Sequence, residues 1–295
     1  MEQLTVCVVH PGTLPVTVYR ALASALSPRV GLTILEMRLL PEYRKAMTGE
    51  RHDVTVDQLA DSLAAQLPRQ GRYVLAGWSF GGLVALALAD RPGLTVLPDQ
   101  VVLLDTVASW RDTGPAERAV QPHQVLTWFG MLLGARVGRT FPVDPVRLSG
   151  ALDDALGHIR ALGIEWGVLA PDTTVPWLRE LFAGFADGIR RNGRMAEAFQ
   201  PRRLPSRLIL VKPEGSLFPD DSALGWRSLA GPALRVISCP GDHYSLLTDP
   251  AALARLATVF RSLAGDPGHA AFGAVEPRRP QARAFSLPDR EGRFS

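Results

Sequence analysis

The stretch from residue 72 to residue 89 constrains the fold more than any other part of the sequence. A short apolar run at 72–76 indicates a strand, the turn Gly77-Trp78-Ser79-Phe80-Gly81-Gly82 follows, and an apolar run from 83 to about 89 indicates a helix. A strand that turns sharply into a helix around G-x-S-x-G holds the central residue in strained backbone angles, and side chains at the flanking positions would collide. The pattern therefore predicts an exposed Ser79 hydroxyl at a helix N-terminus, where backbone amides favour negative charge. The alternative is a glycine-rich turn that only packs a helix against a strand.

The segments around this turn alternate between two periodicities. Apolar runs bounded by Gly, Pro or Asp predict further strands, and apolar spacings of three and four residues predict helices between them. The predicted strands are 4–9, 31–37, 100–104, 207–211 and 233–237, and the predicted helices are 16–26, 54–67 and 250–263. Alternating strands and helices favour a parallel sheet covered on both faces.

The alternation stops between about residues 108 and 200, where only helices are predicted, at 123–134, 144–162 and 175–199. The fold class is therefore expected to be an α/β-hydrolase fold, with a mostly parallel sheet, helices on both faces and an inserted helical lid. One domain is expected over residues 1–264, with the lid at about 108–200. The remaining 265–295 are rich in Pro, Gly, Arg and Ala without periodicity, a composition typical of a disordered tail.

Composition excludes several classes of function. No apolar run approaches the roughly 18 residues of a membrane span, and the N-terminus lacks a secretory signal, so a cytoplasmic protein is expected. The net charge of +3 comes without a basic stripe interleaved with aromatics, which argues against nucleic-acid binding. The two cysteines, Cys7 and Cys239, have no zinc-ligand spacing and are expected to pack in the interior. No metal or cofactor is predicted.

A serine hydroxyl needs a base to become a nucleophile, and His243 is the best placed of the six histidines. It follows the strand 233–237 in the loop Cys239-Pro240-Gly241-Asp242-His243-Tyr244, after the serine in chain order. His10, in the turn after the first strand, is interpreted as a structural histidine hydrogen-bonded within its loop. The other four are interpreted as surface residues: His52, His123, His158 and His269.

The acid that orients the histidine has more than one candidate. Asp105 directly follows the strand 100–104, so its carboxylate is expected at the same sheet end as Ser79. The commoner arrangement of this fold places the acid after the next strand, where Glu214, Asp220 and Asp221 lie; Asp105 is favoured because a strand end is rigid. Asp242, beside His243, is interpreted as a turn residue.

Two backbone amides are candidates for stabilising an oxyanion. The Phe80 amide follows the serine at the start of the helix, and the Thr13 amide lies in the loop His10-Pro11-Gly12-Thr13 after the first strand.

With these residues in place, the chain resembles the thioesterase domains that release products from polyketide synthases and nonribosomal peptide synthetases. The resemblance covers about residues 4–263 and rests on five segments: Val8-Val9-His10-Pro11-Gly12, Gly77-Trp78-Ser79-Phe80-Gly81-Gly82, Val102-Leu103-Leu104-Asp105, Leu224-Gly225-Trp226 and Pro240-Gly241-Asp242-His243-Tyr244-Ser245-Leu246-Leu247. The first loop carries fewer glycines than in many relatives, so the resemblance does not by itself assign the second oxyanion donor to Thr13.

The resemblance implies an acid after the strand that follows the elbow, which supports Asp105, and a helical lid inserted after that strand. It implies an acyl, polyketide or peptidyl substrate held on the phosphopantetheine of a carrier protein, with a carrier protein or synthase as partner and no cofactor of the enzyme's own. Ser79 would accept the chain as an ester, and hydrolysis or cyclisation would release it.

The chain begins at Met1 just ahead of the first strand, so either a freestanding enzyme or an excised domain is expected. Freestanding editing relatives tend to show a His-Phe pair rather than His243-Tyr244, which favours product release over editing. Two further alternatives stay open: a carboxylesterase or acyltransferase acting on small esters, and a carrier-binding protein whose triad no longer functions.

Two side-chain groups in the predicted lid have competing interpretations. The arginines either dock an acidic carrier protein or form a solvated helix face and basic loop: Arg190, Arg191, Arg194, Arg202 and Arg203. The aromatics either line an acyl channel or pack in the core: Trp128, Phe129, Trp166, Trp177, Phe182 and Phe185.

Overall fold

A computed structural model describes residues 3–108, 120–139, 141, 143–201 and 207–265. The predicted tail beyond Gly265, with His269, and the arginines Arg202 and Arg203 of the predicted lid patch lie outside the described residues.

Six parallel strands form one sheet with the order β2-β1-β3-β4-β5-β6. Their bounds are β1 Leu4–His10, β2 Val30–Glu36, β3 Tyr73–Trp78, β4 Val101–Leu104, β5 Leu208–Gly215 and β6 Leu234–Asp242. The central strands β3 and β4 are buried along their whole length. Near-continuous apolar runs are what a parallel sheet with two covered faces requires.

Nine α-helices are found among the described residues. They are α1 Arg20–Leu26, α2 Pro41–Thr48, α3 Val56–Leu63, α4 Gly81–Ala89, α5 Pro122–Arg136, α6 Leu152–Glu165, α7 Val175–Ala198, α8 Trp226–Ala230 and α9 Pro250–Gly265. The described residues between β4 and β5 contain α5, α6 and α7 and no strand, as the sequence predicts.

Alternate residues of each strand enter two separate cores. On one face Val8 and Val102 pack in a cluster with apolar side chains of α1, α5, α6, α9 and most of α7. On the other face Val9 and Leu103 pack with side chains of α2, α3, α4 and α8. The sheet is thus covered on both sides, and the predicted α/β architecture is confirmed.

Several predicted bounds differ from the structure. Residues 16–26 form a short 3-10 turn, Val16–Tyr19, before α1 rather than one helix, and the predicted helix 144–162 divides into the 3-10 turn Pro145–Leu148 and α6. The second break falls where Ser149 and Gly150 leave the helical conformation and Ala151 is extended, with a ψ of 147°. Strand β6 continues to Asp242, through part of the predicted His243 loop.

Register aligns the carboxyl ends of the central strands. Trp78, the last residue of β3, pairs with Leu104, the last residue of β4, and Leu104 in turn pairs with Val211 of β5. The residues that follow, Ser79 and Asp105, therefore leave the sheet side by side at one edge.

Candidate active site at the carboxyl edge of the sheet

Ser79 occupies a strained turn between β3 and α4. Its φ is +55°, in the left-handed region that costs a non-glycine residue on the order of 1–3 kcal/mol. The surrounding backbone holds this conformation, because the Ser79 amide donates to the Leu104 carbonyl at 2.9 Å and the Thr106 hydroxyl donates to the Ser79 carbonyl at 2.9 Å. Ser79 is partly exposed while Trp78 and Phe80 on either side are buried, as the motif predicts.

The glycines around the serine are required by close backbone approach. A Cβ atom placed on Gly77 would lie 2.3 Å from the carbonyl oxygen of Gly81, and one placed on Gly82 would lie 2.0 Å from the Thr106 hydroxyl oxygen. Real Cβ atoms do not approach so closely, so any larger residue at either position would open the turn.

Asp105 and His243 form a buried pair beside this turn. Asp105 Oδ2 lies 2.7 Å from His243 Nδ1, and each residue is 1% exposed. An ionised carboxylate only accepts hydrogen bonds, so it takes the Nδ1–H of the imidazole and leaves Nε2 as the nitrogen that accepts a proton. That tautomer is the one a general base needs.

The other acids proposed from the sequence do not take this position. Glu214 and Asp220 are exposed, and Asp221 Oδ1 accepts the Ala223 amide at 3.0 Å within its own loop. The structure thus places Asp105, and none of these three, against His243.

Ser216 is a site residue that sequence reasoning missed. It follows β5 and is buried, and its hydroxyl donates to Asp105 Oδ1 at 2.6 Å, while the Leu217 amide donates to Oδ2 at 3.4 Å. Both carboxylate oxygens of Asp105 are therefore engaged. The sequence carried no direct signal for it, because the strand predicted there ends at residue 211 and the observed β5 continues to Gly215.

Trp78 connects His243 to the turn that carries Ser79. Its indole Nε1–H donates to the His243 carbonyl at 3.0 Å, and the two rings lie 5.3 Å apart. The His243 amide also donates to the Gly215 carbonyl at 3.2 Å. The residue that immediately precedes Ser79 therefore supports both the backbone and the ring of His243.

Asp242 shapes the turn that carries the histidine. It is the last residue of β6 rather than part of the turn, and its buried Oδ1 accepts the Tyr244 and Ser245 amides of that turn at 2.9 and 2.8 Å. Burial raises the pKa of this carboxyl from its usual value.

His10 is a structural histidine, as predicted. Its Nε2 lies 2.7 Å from the Leu14 carbonyl, its Nδ1 lies 3.1 Å from the Tyr19 hydroxyl, and its ring stacks on Trp78 at 5.6 Å. Burial lowers the pKa of the imidazole, which favours the neutral ring. With Nε2–H donating to Leu14 and Nδ1 accepting from Tyr19, neither nitrogen is left to serve as a base.

The loop after β1 packs against the start of α4. A Cβ on Gly81 would lie 2.4 Å from the Val9 carbonyl oxygen and 3.4 Å from Pro11 Cδ. In the part of the chain that the structure describes, no backbone carbonyl accepts a hydrogen bond from the amide of Phe80 or Thr13. Both stay predicted oxyanion donors.

Three other titratable residues, two cysteines and one histidine, are shielded from solvent by packing. Cys7 and Cys239 are free and buried, and burial raises the pKa of each thiol to about 12. His158 lies in α6, which packs against α7, and it is half-buried with Nε2 shielded from solvent, so its interpretation as a surface residue is wrong. Within the described residues no cluster of metal-ligating side chains is found, and no helix is long and apolar enough to cross a membrane.

The aromatics of the helices between β4 and β5 divide into two groups. Trp166 and Trp177 are 44% and 50% exposed. The others pack inward, where Phe129 contacts Phe182 and Phe185 at ring distances of 5.4 and 5.7 Å. Phe185 lies 6.3 Å from the ring of Tyr244, next to His243, so this aromatic cluster reaches the residues beside the candidate base.

The family model of the thioesterase domain matches residues 4–260. A search of curated proteins gives no significant match.

Solved structures with similar folds include the holo form of AB3403, a four-domain nonribosomal peptide synthetase bound to AMP and glycine, with a TM-score of 0.60 and 22% identity. That match covers 90% of this chain and 20% of the synthetase, so the chain spans about a fifth of the synthetase's length. The NocB thioesterase domain in covalent complex with a fluorophosphonate nocardicin G analog is similar at a TM-score of 0.56 and 22% identity, covering 90% and 96% of the two chains. ClbQ from the colibactin NRPS/PKS pathway is similar at a TM-score of 0.52 and 17% identity, and the match covers 89% of this chain and 98% of ClbQ.

These structural likenesses, at 17–22% identity, support the α/β-hydrolase architecture, and the family match extends over nearly all of the sheet and its helices. The chain therefore belongs to the thioesterase domain family.

Proposed function

We propose that this protein releases an acyl, polyketide or peptidyl chain from a phosphopantetheinyl carrier protein through an ester on Ser79. The observation that carries the proposal is the buried 2.7 Å contact between Asp105 and His243 at the sheet edge where Ser79 leaves β3. Family membership supplies the bond to be broken, a thioester.

In the first half-reaction, His243 Nε2 takes the hydroxyl proton of Ser79 as the oxygen attacks the thioester carbonyl. The Phe80 and Thr13 amides donate to the oxyanion of the tetrahedral intermediate. Collapse breaks the carbon–sulfur bond, the imidazolium returns its proton to the departing thiolate, and the chain remains as an ester on Ser79. Asp105 holds the imidazole in the required tautomer and stabilises its charged form.

In the second half-reaction, water or a nucleophile within the bound chain gives a proton to His243 and attacks the ester carbonyl. Collapse of this second intermediate breaks the bond to Ser79, whose oxygen recovers the proton from His243. Water yields a free acid, and an internal nucleophile yields a ring. The enzyme needs no cofactor of its own for either route.

The carrier-bound substrate is supported by the fold neighbours. AB3403 is a multidomain peptide synthetase, NocB contributes a thioesterase domain, and ClbQ belongs to an NRPS/PKS pathway. A carrier protein or synthase is accordingly the proposed partner.

Hydrolysis of matched esters tests the proposal. We expect the wild-type protein to cleave an acyl-N-acetylcysteamine thioester with a higher kcat/KM than the p-nitrophenyl ester of the same acid, and Ser79→Ala to abolish both activities. A clear preference for the oxygen ester would assign a carboxylesterase instead. Full activity in Ser79→Ala, or a folded wild type that cleaves neither substrate, would refute the mechanism.

A further inference from the structure

A small basic groove lies between the loop that joins α2 to α3 and the C-terminal half of α7. It encloses about 120 Å³, and its charged lining consists of Arg51, Asp53, Arg191 and Arg194, with His52 beside them. Helix α3 runs back to the start of β3, so the loop before it lies on the carboxyl side of the sheet, the side on which Ser79 leaves β3.

The one carboxylate that lines the groove is already neutralised. Arg51 donates from Nε and Nη2 to the two oxygens of Asp53, at 2.9 and 2.8 Å. A bidentate pair of this kind cancels the charge of both partners at short range. The groove therefore keeps the charge of the two α7 arginines.

Contacts with Tyr43 fix the guanidinium of Arg191. Its guanidinium lies 5.1 Å from the ring centroid of Tyr43, and Nη2 donates to the Tyr43 hydroxyl at 3.3 Å. Tyr43 is buried and in turn donates to Asn192 at 3.0 Å. The Arg191 Nε–H is buried, yet no group among the described residues accepts it. A buried charged donor without an acceptor is unfavourable unless a water or an anion completes it.

Arg194 is the second cation of the groove. It is exposed, and over the described ranges no carboxylate lies within ion-pair distance of it. Arg190, earlier on the same helix, differs from Arg194 because it pairs with Asp187 and does not line the groove. The three arginines of the predicted patch that the structure describes thus divide into a paired surface residue and two groove residues.

We propose that Arg191 and Arg194 form a binding site for a phosphate group. A preorganised guanidinium matches the oxygens of phosphate in a bidentate arrangement, and a groove of this volume admits a small anion. One source of this phosphate group is the phosphopantetheine arm of the substrate, and that source rests on the proposed function. The other source is a separate phosphorylated small molecule.

Titration with inorganic phosphate, followed by calorimetry at low ionic strength, tests the site itself. The wild type is expected to bind one phosphate per chain, and Arg194→Gln to bind about tenfold more weakly, since a hydrogen bond to a charged group contributes at least that factor. Arg190→Gln, which makes the same charge change four residues earlier on the same helix, is expected to bind like the wild type. Absence of saturable binding to the wild type, or equal weakening by both substitutions, would overturn the proposal.

Turnover of two thioesters identifies the source. If the phosphate of the substrate arm binds here, the KM for acyl-pantetheine 4′-phosphate is lower than that for acyl-pantetheine, and Arg194→Gln removes the difference with kcat unchanged. Equal KM values alongside saturable phosphate binding assign a separate ligand. Failure to cleave either thioester would count against the proposed function alone, because the phosphate titration does not depend on turnover.

Discussion

At the residue scale, the account depends on a contact between side chains 138 positions apart, Asp105 and His243. The sequence predicted both at the carboxyl edge of a parallel sheet, because each follows a strand. It favoured Asp105 over Glu214 and the two later aspartates, but local pattern alone does not say which loop reaches the histidine. The structure decides it: Asp105 follows β4, the strand next to β3, and its Oδ2 lies 2.7 Å from His243 Nδ1.

Replacement of Asp105 by Asn is expected to lower kcat by about 10³- to 10⁴-fold, because an amide NH₂ facing Nδ1 favours the wrong imidazole tautomer. The measurement is steady-state hydrolysis of an acyl thioester by folded protein. Glu214→Gln, at an exposed position, is expected to retain wild-type activity. The reverse ranking of the two variants would show that the acid is misassigned.

Ser216 supports the acid rather than the substrate, so its loss is expected to be milder. Ser216→Ala removes the 2.6 Å hydrogen bond to Asp105 Oδ1, and kcat/KM is expected to fall about tenfold. Ser228→Ala is a suitable control, because that hydroxyl is exposed and bonds only the nearby Gly225 carbonyl. An effect of Ser216→Ala no larger than that of the control would exclude the positioning role.

At the scale of single elements, apolar periodicity predicted all six strands and most helices. It failed where few side chains are buried: α2 buries only Tyr43 and Ala46, and α8 is five residues long. It also merged the 3-10 turn Pro145–Leu148 with α6, because apolar spacing continues across the break. The observed strand ends differ from the predicted ones because pairing with a neighbouring strand, which extends β6 to Asp242, leaves no pattern in the local sequence.

The turn between β3 and α4 leaves no room for an added methyl group. Gly77→Ala would place its Cβ 2.3 Å from a backbone carbonyl, so a loss of about 1–3 kcal/mol in the free energy of unfolding is expected, together with loss of activity. Gly184→Ala in the exposed interior of α7 meets no atom within 4 Å and is expected to stabilise by about 0.5–1 kcal/mol. Urea denaturation of both variants checks the contrast, and an unchanged midpoint for Gly77→Ala would contradict the tight-turn geometry.

At the scale of the whole molecule, the order of strands and the placement of the inserted helices come from tertiary contacts that the sequence pattern does not contain. Helical spacing predicted α5 to α7 but could not divide their aromatics between core and surface. The structure does so, leaving Trp166 and Trp177 exposed and bringing Phe185 to Tyr244. Helices α5 to α7 thus come close to the residue beside His243, and their role as a lid stays a prediction.

An aromatic cluster beside the base is expected to favour long acyl chains. From acetyl to octanoyl thioesters, kcat/KM should rise, since each methylene removed from water contributes up to about 0.8 kcal/mol. Phe185→Ala should flatten the rise while sparing acetyl turnover. A preference of the wild type for acetyl would instead favour an editing role.

The central claim is that the Asp105–His243 pair activates the Ser79 hydroxyl, and covalent labelling tests it most directly. Intact-protein mass spectrometry after treatment with a long-chain fluorophosphonate should show one adduct on the wild type, localised to Ser79 by peptide fragmentation. The adduct should be absent from Ser79→Ala and form far more slowly on His243→Ala. A folded wild type that is not labelled, or labelling that persists in Ser79→Ala, would contradict the account.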